Sequence, residues 1–104
     1  MSVEVSDISC ELISFIGSAK SSFIEALRLA NRRKVTEAKA VFSEGEKDYV
    51  TAYESHSKLL GMFANGQDVK IDLLLVHAEC SLMSAEDMKA LAQDAIELAE
   101  EQET

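Results

Sequence analysis

The sequence predicts an all-α fold, a three-helix antiparallel up-down bundle. Proline is absent from its 104 residues and glycine occurs only four times, so long helices can run with few breaks. Apolar residues recur at steps of three and four over three long stretches, the spacing of one helix face. Aromatic residues make up only 6% and tryptophan is missing, too little for the packed faces of a β-sandwich. At this length residues 1–104 read as a single domain with a modest core.

The first helix is predicted from about Asp7 to Asn31. Ile8, Leu12, Phe15, Ile16, Ala19, Phe23, Ala26, Leu27 and Ala30 form its apolar stripe. Ser6 or Asp7 can cap it by accepting from free N–H groups. Gly17 lies inside it, where glycine costs up to ~1 kcal/mol against alanine, and a close approach by another chain segment would compensate. Arg28, Arg32, Arg33 and Lys34 gather at its end, where cations suit the exposed carbonyls.

The second helix is predicted from about Thr36 to Ala64. Ala38, Val41, Phe42, Tyr49, Ala52, Tyr53, His56, Leu59, Leu60 and Phe63 make its inward stripe, Gly45 interrupts it, and Asn65-Gly66 ends it with residues that tolerate a left-handed backbone. Val69 and Ile71 then alternate with Lys70 and Asp72, a pattern of short extended chain. Asp72 is placed to cap the third helix.

The third helix is predicted over residues 72–101. Leu74, Ala78, Leu82, Ala85, Met88, Ala92, Ala95 and Ala99 form one stripe, and Leu73, Val76, Cys80, Met83 and Leu91 a second beside it. So wide an apolar arc exceeds what two partner helices cover, which predicts self-association in a symmetric ring with this helix near the axis. The acidic tail Glu97 to Glu103 reads as a solvated helix end.

Charge narrows the functions. The net charge is −9, and residues 67–104 hold ten acids against Lys70 and Lys89. That field repels nucleic acid and anionic lipid, so no nucleic-acid partner is expected. No apolar run approaches the ~20 residues of a membrane span. The stretch Met1 to Asp7 is acidic, unlike a secretory leader, so a cytoplasmic location is expected. Cys10 and Cys80 are isolated and read as reduced, buried thiols. Met62, Met83 and Met88 read as core filler. His56 reads as a partly buried polar residue at a helix interface, and Tyr53 as a packing residue with its hydroxyl toward water.

The most informative residue is His77, in Leu73-Leu74-Leu75-Val76-His77-Ala78-Glu79-Cys80-Ser81-Leu82-Met83. Position alone leaves three roles open: nucleophile on phosphorus, metal ligand, or a helix histidine satisfied by a neighbour. This run, continued by Ser84-Ala85, resembles the active-site helix of the lactose/cellobiose-type enzyme IIA proteins of the bacterial phosphotransferase system, which reads L-L-V-H-A-Q-D-H-L-M-T. Ile16-Gly17-Ser18-Ala19-Lys20-Ser21 is similar to the family's glycine-containing A-[RK]-S stretch. Glu25-Ala26-Leu27 fits its next turn. Ala52-Tyr53-Glu54-Ser55-His56-Ser57-Lys58-Leu59-Leu60 sits where the family has A-H-x-x-Q-T-x-L-[IL], and Ala64-Asn65-Gly66 matches its end-of-helix turn.

The resemblance implies a homotrimer forming a nine-helix bundle. It implies that His77 takes a phosphoryl group from phospho-HPr and passes it to a cysteine of enzyme IIB, which with the membrane component IIC phosphorylates a lactose-, cellobiose- or chitobiose-type sugar during import. Membrane association would then come only through IIC. Neutral imidazole has a lone pair to attack phosphorus in line, and positioning and charge stabilisation carry most of such a transfer. Ser57, Ser81 and Gly17 are the supporting positions.

Three departures stand out. The family's aspartate, which helps hold a divalent metal on the trimer axis, is Cys80 here. Its second histidine is Ser81. Its second-helix H and Q are Tyr53 and His56. Three cysteines need no cation, since thiols bury as small hydrophobes, so no cofactor and no axial metal are expected. The alternative function is a non-catalytic helical interaction or regulatory protein on the same scaffold.

Overall fold

Three helices account for nearly the whole chain: α1 (Ser2–Asn31), α2 (Val35–Ala64) and α3 (Leu73–Glu103). This computed structural model describes residues 2–103, with side chains from residue 4 onward. Cross-helix contacts give the helix directions. Ser18 meets Asp48 and Ser55 meets Glu11, so α1 and α2 run antiparallel. Tyr49 meets Glu86 and His56 meets Glu79, so α3 runs antiparallel to α2. The result is the up-down bundle that the periodicity predicts, a rod of 54 × 19 × 18 Å. α1 packs broadly against both other helices, whereas α2 and α3 meet more sparsely.

The core has two parts. Toward the α1–α2 turn, Phe23 sits among Ala19, Ala26, Ala30, Val35, Ala38, Ala92, Ile96 and Ala99. Toward the other end, Leu12 and Ile16 of α1 pack with Ala52 and Leu59 of α2 and Ala78, Leu82 and Ala85 of α3. Alanine at four of the six buried positions of α3 keeps its backbone close to α1. Lys39 and Glu100 pair across the α2–α3 end.

Several expectations change. α1 begins before Asp7, because Val5 continues the buried stripe at 6% exposure; Ser6 and Asp7 therefore lie within the helix and do not cap it. Gly45 does not interrupt α2. It is buried, and a Cβ there would lie 2.8 Å from Cε1 of Phe23, so glycine gives the Phe23 ring its place. Gly17 is the reverse: it is exposed, and nothing approaches within 4 Å of where its Cβ would be, so no neighbour offsets its cost inside the protomer. Tyr53, Leu60 and Phe63 are not inward; they are 45%, 58% and 63% exposed. Cys10 and Cys80 are exposed thiols, and Met83 lies on the surface while Met62 and Met88 pack against the core.

The turns work without strong sequence signals. Arg33 takes a left-handed backbone, φ 64°. Its N–H donates to the Ala30 carbonyl and that of Lys34 to the Leu29 carbonyl, which closes the end of α1. Gly66, with φ 79°, fulfils the predicted end of α2. Residues 67–72 form neither helix nor strand; Val69 packs on the core and Ile71 is exposed. Asp72 caps α3 as expected, its Oδ1 accepting the Leu75 N–H at 3.0 Å and its carbonyl that of Val76 at 3.0 Å.

Candidate functional site

The cap at Asp72 fixes the first turn of α3 and so sets the direction of His77. The next residue, Ala78, is fully buried and anchors that turn in the core. His77 is therefore turned outward and is exposed. Among the described residues nothing hydrogen-bonds to its imidazole. Both ring nitrogens are free to meet an incoming group.

One and two turns further along α3 come Ser81 and Ser84, on the same side as His77 by helical spacing. Ser81 is half-buried. Ser84 Oγ accepts from Lys20 Nζ of α1 at 2.7 Å, which holds a cation on this flank of an acidic chain. Cys80, one turn from His77, is exposed and unbonded.

The opposite flank of α3 faces α2 and is lined by a ladder of rings and charges. The His56 Nδ1 lies 2.7 and 2.9 Å from the two carboxylate oxygens of Glu79. A carboxylate only accepts, so Nδ1 carries the proton. Tyr53 stands edge-on to His56, ring centroids 5.2 Å apart, and Tyr49 comes next at 6.0 Å. The Tyr49 hydroxyl donates to Glu86 at 3.0 Å, and Lys89 lies 5.0 Å from the Tyr49 ring. Burial first, then the bond to Glu86, pushes the Tyr49 phenol up to about 12.

The sequence-predicted residues thus separate. Ser81 shares the His77 flank. Ser57 lines a shallow groove with Tyr49, Val50, Tyr53, Glu54, Lys58 and Lys89; His77 is not among its walls, and no hydrogen bond joins the two residues. Gly17 lies on the open surface of α1. The pairs His56–Glu79 and Lys20–Ser84 were not foreseen. For the first a signal was present: the family pattern has glutamine at both positions, and this chain replaces them with a base and an acid. Within one protomer the described residues contain no group of three or more His, Cys, Asp or Glu able to hold a metal ion. No described helix is long and apolar enough to cross a membrane.

Residues 7–100 match the family model described as "PTS system, Lactose/Cellobiose specific IIA subunit". The chain belongs to this family. It is therefore a phosphotransferase component. As a IIA protein it is 35% identical over 91 residues, 88% of this chain and 83% of the relative, to the oligo-beta-mannoside-specific EIIA component of Bacillus subtilis. It is 30% identical over 94 residues, 90% of this chain and 91% of the relative, to the lactose-specific EIIA component of Staphylococcus aureus. The crystal structure of the cellobiose-specific enzyme IIA from Bacillus anthracis superimposes with a TM-score of 0.89 at 31% identity, over 95% of this chain and 91% of that one.

Proposed function

We propose that this IIA protein is the phosphoryl carrier of a cytoplasmic sugar-import relay, with His77 as the covalent site. A nitrogen of its imidazole attacks the phosphorus of phospho-HPr; the new N–P bond forms as the bond to the HPr histidine breaks. In the second step the cysteine thiolate of enzyme IIB attacks the same phosphorus and His77 leaves. The observation that carries this reading is the exposure of an unbonded His77 on the turn that matches the family's active-site helix. Lys20 and the hydroxyls of Ser81 and Ser84 supply donors on that flank for a group carrying roughly two negative charges.

The sugar class is that of β-linked oligosaccharides and lactose, from the names of the relatives. The active form is a homotrimer that buries apolar surface now in water. Ten large hydrophobic side chains are exposed, all on α2, α3 and the connection between them, while among the described residues α1 exposes none. The trimer is metal-free, because Cys80 offers a thiol where a hard cation needs oxygen.

Incubation with phosphoenolpyruvate and the general phosphotransferase proteins tests the carrier role. One acid-labile gain of ~80 Da per chain is expected, mapping to His77 and lost in His77→Ala while the fold is kept. No gain of mass overturns it and leaves a non-catalytic interaction protein; a gain that survives His77→Ala overturns His77 as the covalent site and puts that site on another residue.

A further inference from the structure

Lys20 and Ser84 set the register between α1 and α3. Their hydrogen bond is 2.7 Å long, and the two helices run parallel, each being antiparallel to α2. One turn back on both helices brings Gly17 about level with Ser81, and a second turn brings Ile13 about level with His77. The core agrees with this register: Leu12 and Ile16 lie in one cluster with Ala78 and Leu82. Ile13 is half-buried and packs on that cluster, so it fills the seam between the helices beside His77. One turn further on the cover stops. Gly17 is exposed, and a Cβ there would meet no atom within 4 Å.

A glycine in mid-helix destabilises relative to alanine. At Gly45 the structure shows the return, because the missing Cβ makes room for Phe23. No neighbour within the protomer uses the space over Gly17. Among the described residues α1 exposes no large hydrophobic side chain, so this side of the rod offers copies of the chain little to bury and stays open to another partner. In-line attack needs phosphorus within about 3–3.5 Å of the imidazole nitrogen. By helical spacing His77 lies on the same flank of α3 as Ser84, the flank that Lys20 of α1 reaches. A protein that delivers phosphorus there must lay its own surface against α1, and a side chain at position 17 would hold it off.

We propose that Gly17 is the point of close approach for the phosphoryl donor protein, whose main chain closes over it while its phosphohistidine meets His77. This rests on the carrier reading above and names the surface that the donor uses. The flank suits such an occupant. It carries the cation Lys20 toward a phosphoryl group with roughly two negative charges, and at Gly17 it offers clearance for backbone. Gly17 touches the donor and not the reacting atoms. It therefore sets how well the donor docks and leaves the reactivity of the His77 imidazole unchanged.

Two phosphoryl donors separate docking from chemistry. Phospho-HPr is a protein and must lie against α1. Phosphoramidate is a small molecule that needs no such room: His77 attacks its phosphorus, the P–N bond breaks, and ammonia leaves with the electron pair of that bond. Wild type, G17A, G17L and S43L are compared as the full chain, each checked for helicity and sedimentation. The rate of mass gain at His77 is read with phosphoramidate and over a range of phospho-HPr concentrations. Ser43 is exposed on α2, toward the α1–α2 turn, and controls for an added leucine. The KM for phospho-HPr is expected to rise about ten-fold in G17A and about 100-fold or more in G17L. S43L with either donor, and every variant with phosphoramidate, should match wild type. G17L taking phosphate from phospho-HPr as wild type does, an equal loss with phosphoramidate, or a changed oligomeric state in G17L each overturns the proposal and leaves the carrier role standing. Wild type that gains mass from neither donor overturns the carrier reading, and this inference with it.

Discussion

His56 of α2 closes on Glu79 of α3, with Nδ1 2.7 Å from one carboxylate oxygen. Its place gives the pair its weight. The α2–α3 seam is the most sparsely packed of the three, so polar pairs carry more of its cohesion than elsewhere. The side chains are 17% and 34% exposed, which removes much of the screening that makes surface pairs weak. A double-mutant cycle with His56→Ala and Glu79→Ala in urea is expected to give a coupling of about 1 kcal/mol. A coupling near zero would mean that this pair adds nothing to the seam, whose cohesion then rests on Tyr49–Glu86, Lys39–Glu100 and Lys89–Glu46. Since Glu79 lies two residues from His77, the same variants should lower the rate of phosphoryl gain without removing it.

Gly45 and Gly17 are expected to respond to alanine with opposite signs. At Gly45 the new methyl would sit 2.8 Å from a ring carbon of Phe23, which is fully buried and has nowhere to move. Overpacking of this kind costs about 1–3 kcal/mol, more than the helix propensity gained. At Gly17 the space is open, so Gly17→Ala gains the propensity alone, about 0.5–1 kcal/mol. Thermal melts of both variants check this: Gly45→Ala lowers the midpoint and Gly17→Ala raises it.

These two glycines also show what a sequence can tell. Periodicity located all three helices, because each stripe is long enough for one face to stand out, and the two bands on α3 separated into a buried set and an exposed one. Periodicity says which face of a helix is apolar, not whether another helix covers it. Hence Tyr53, Leu60, Phe63 and Met83, read as inward, lie on the surface. The start of α1 was missed because Ser6 and Asp7 are good caps and equally tolerable in a first turn. His77 was legible through its neighbours in the chain. The partners Lys20–Ser84 and His56–Glu79 are 64 and 23 residues apart and meet only once helix direction and register are known.

Ser9 is 1% exposed and its hydroxyl has no hydrogen-bond partner among the described residues. A buried polar group without a partner loses its hydration and gains nothing in return. Ser9→Ala removes that cost and adds a better helix former. The expected outcome is a gain of about 1 kcal/mol, seen as a higher urea midpoint at unchanged slope. A loss of stability would mean that the hydroxyl has a partner in solution.

Tyr49 predicts how stability falls at alkaline pH. Its phenol ionises at about 12 in the fold against an ordinary value of 10.0, chiefly because burial disfavours the phenolate and then because the hydroxyl donates to Glu86. The folded value is the higher one, so the unfolded chain loses this proton first. The contribution is complete below pH 10 and is lost as pH rises from about 10 to about 12. Absorbance titration near 295 nm should show a tyrosine ionising late, at about 12. Glu86→Gln keeps an acceptor but removes the carboxylate charge, so the late phase should move down toward 10 while burial keeps it above that value. The alkaline decline in stability should become correspondingly shallower. If the late phase stays in place in Glu86→Gln, burial alone holds the proton, and the bond between α2 and α3 at this level contributes no measurable share.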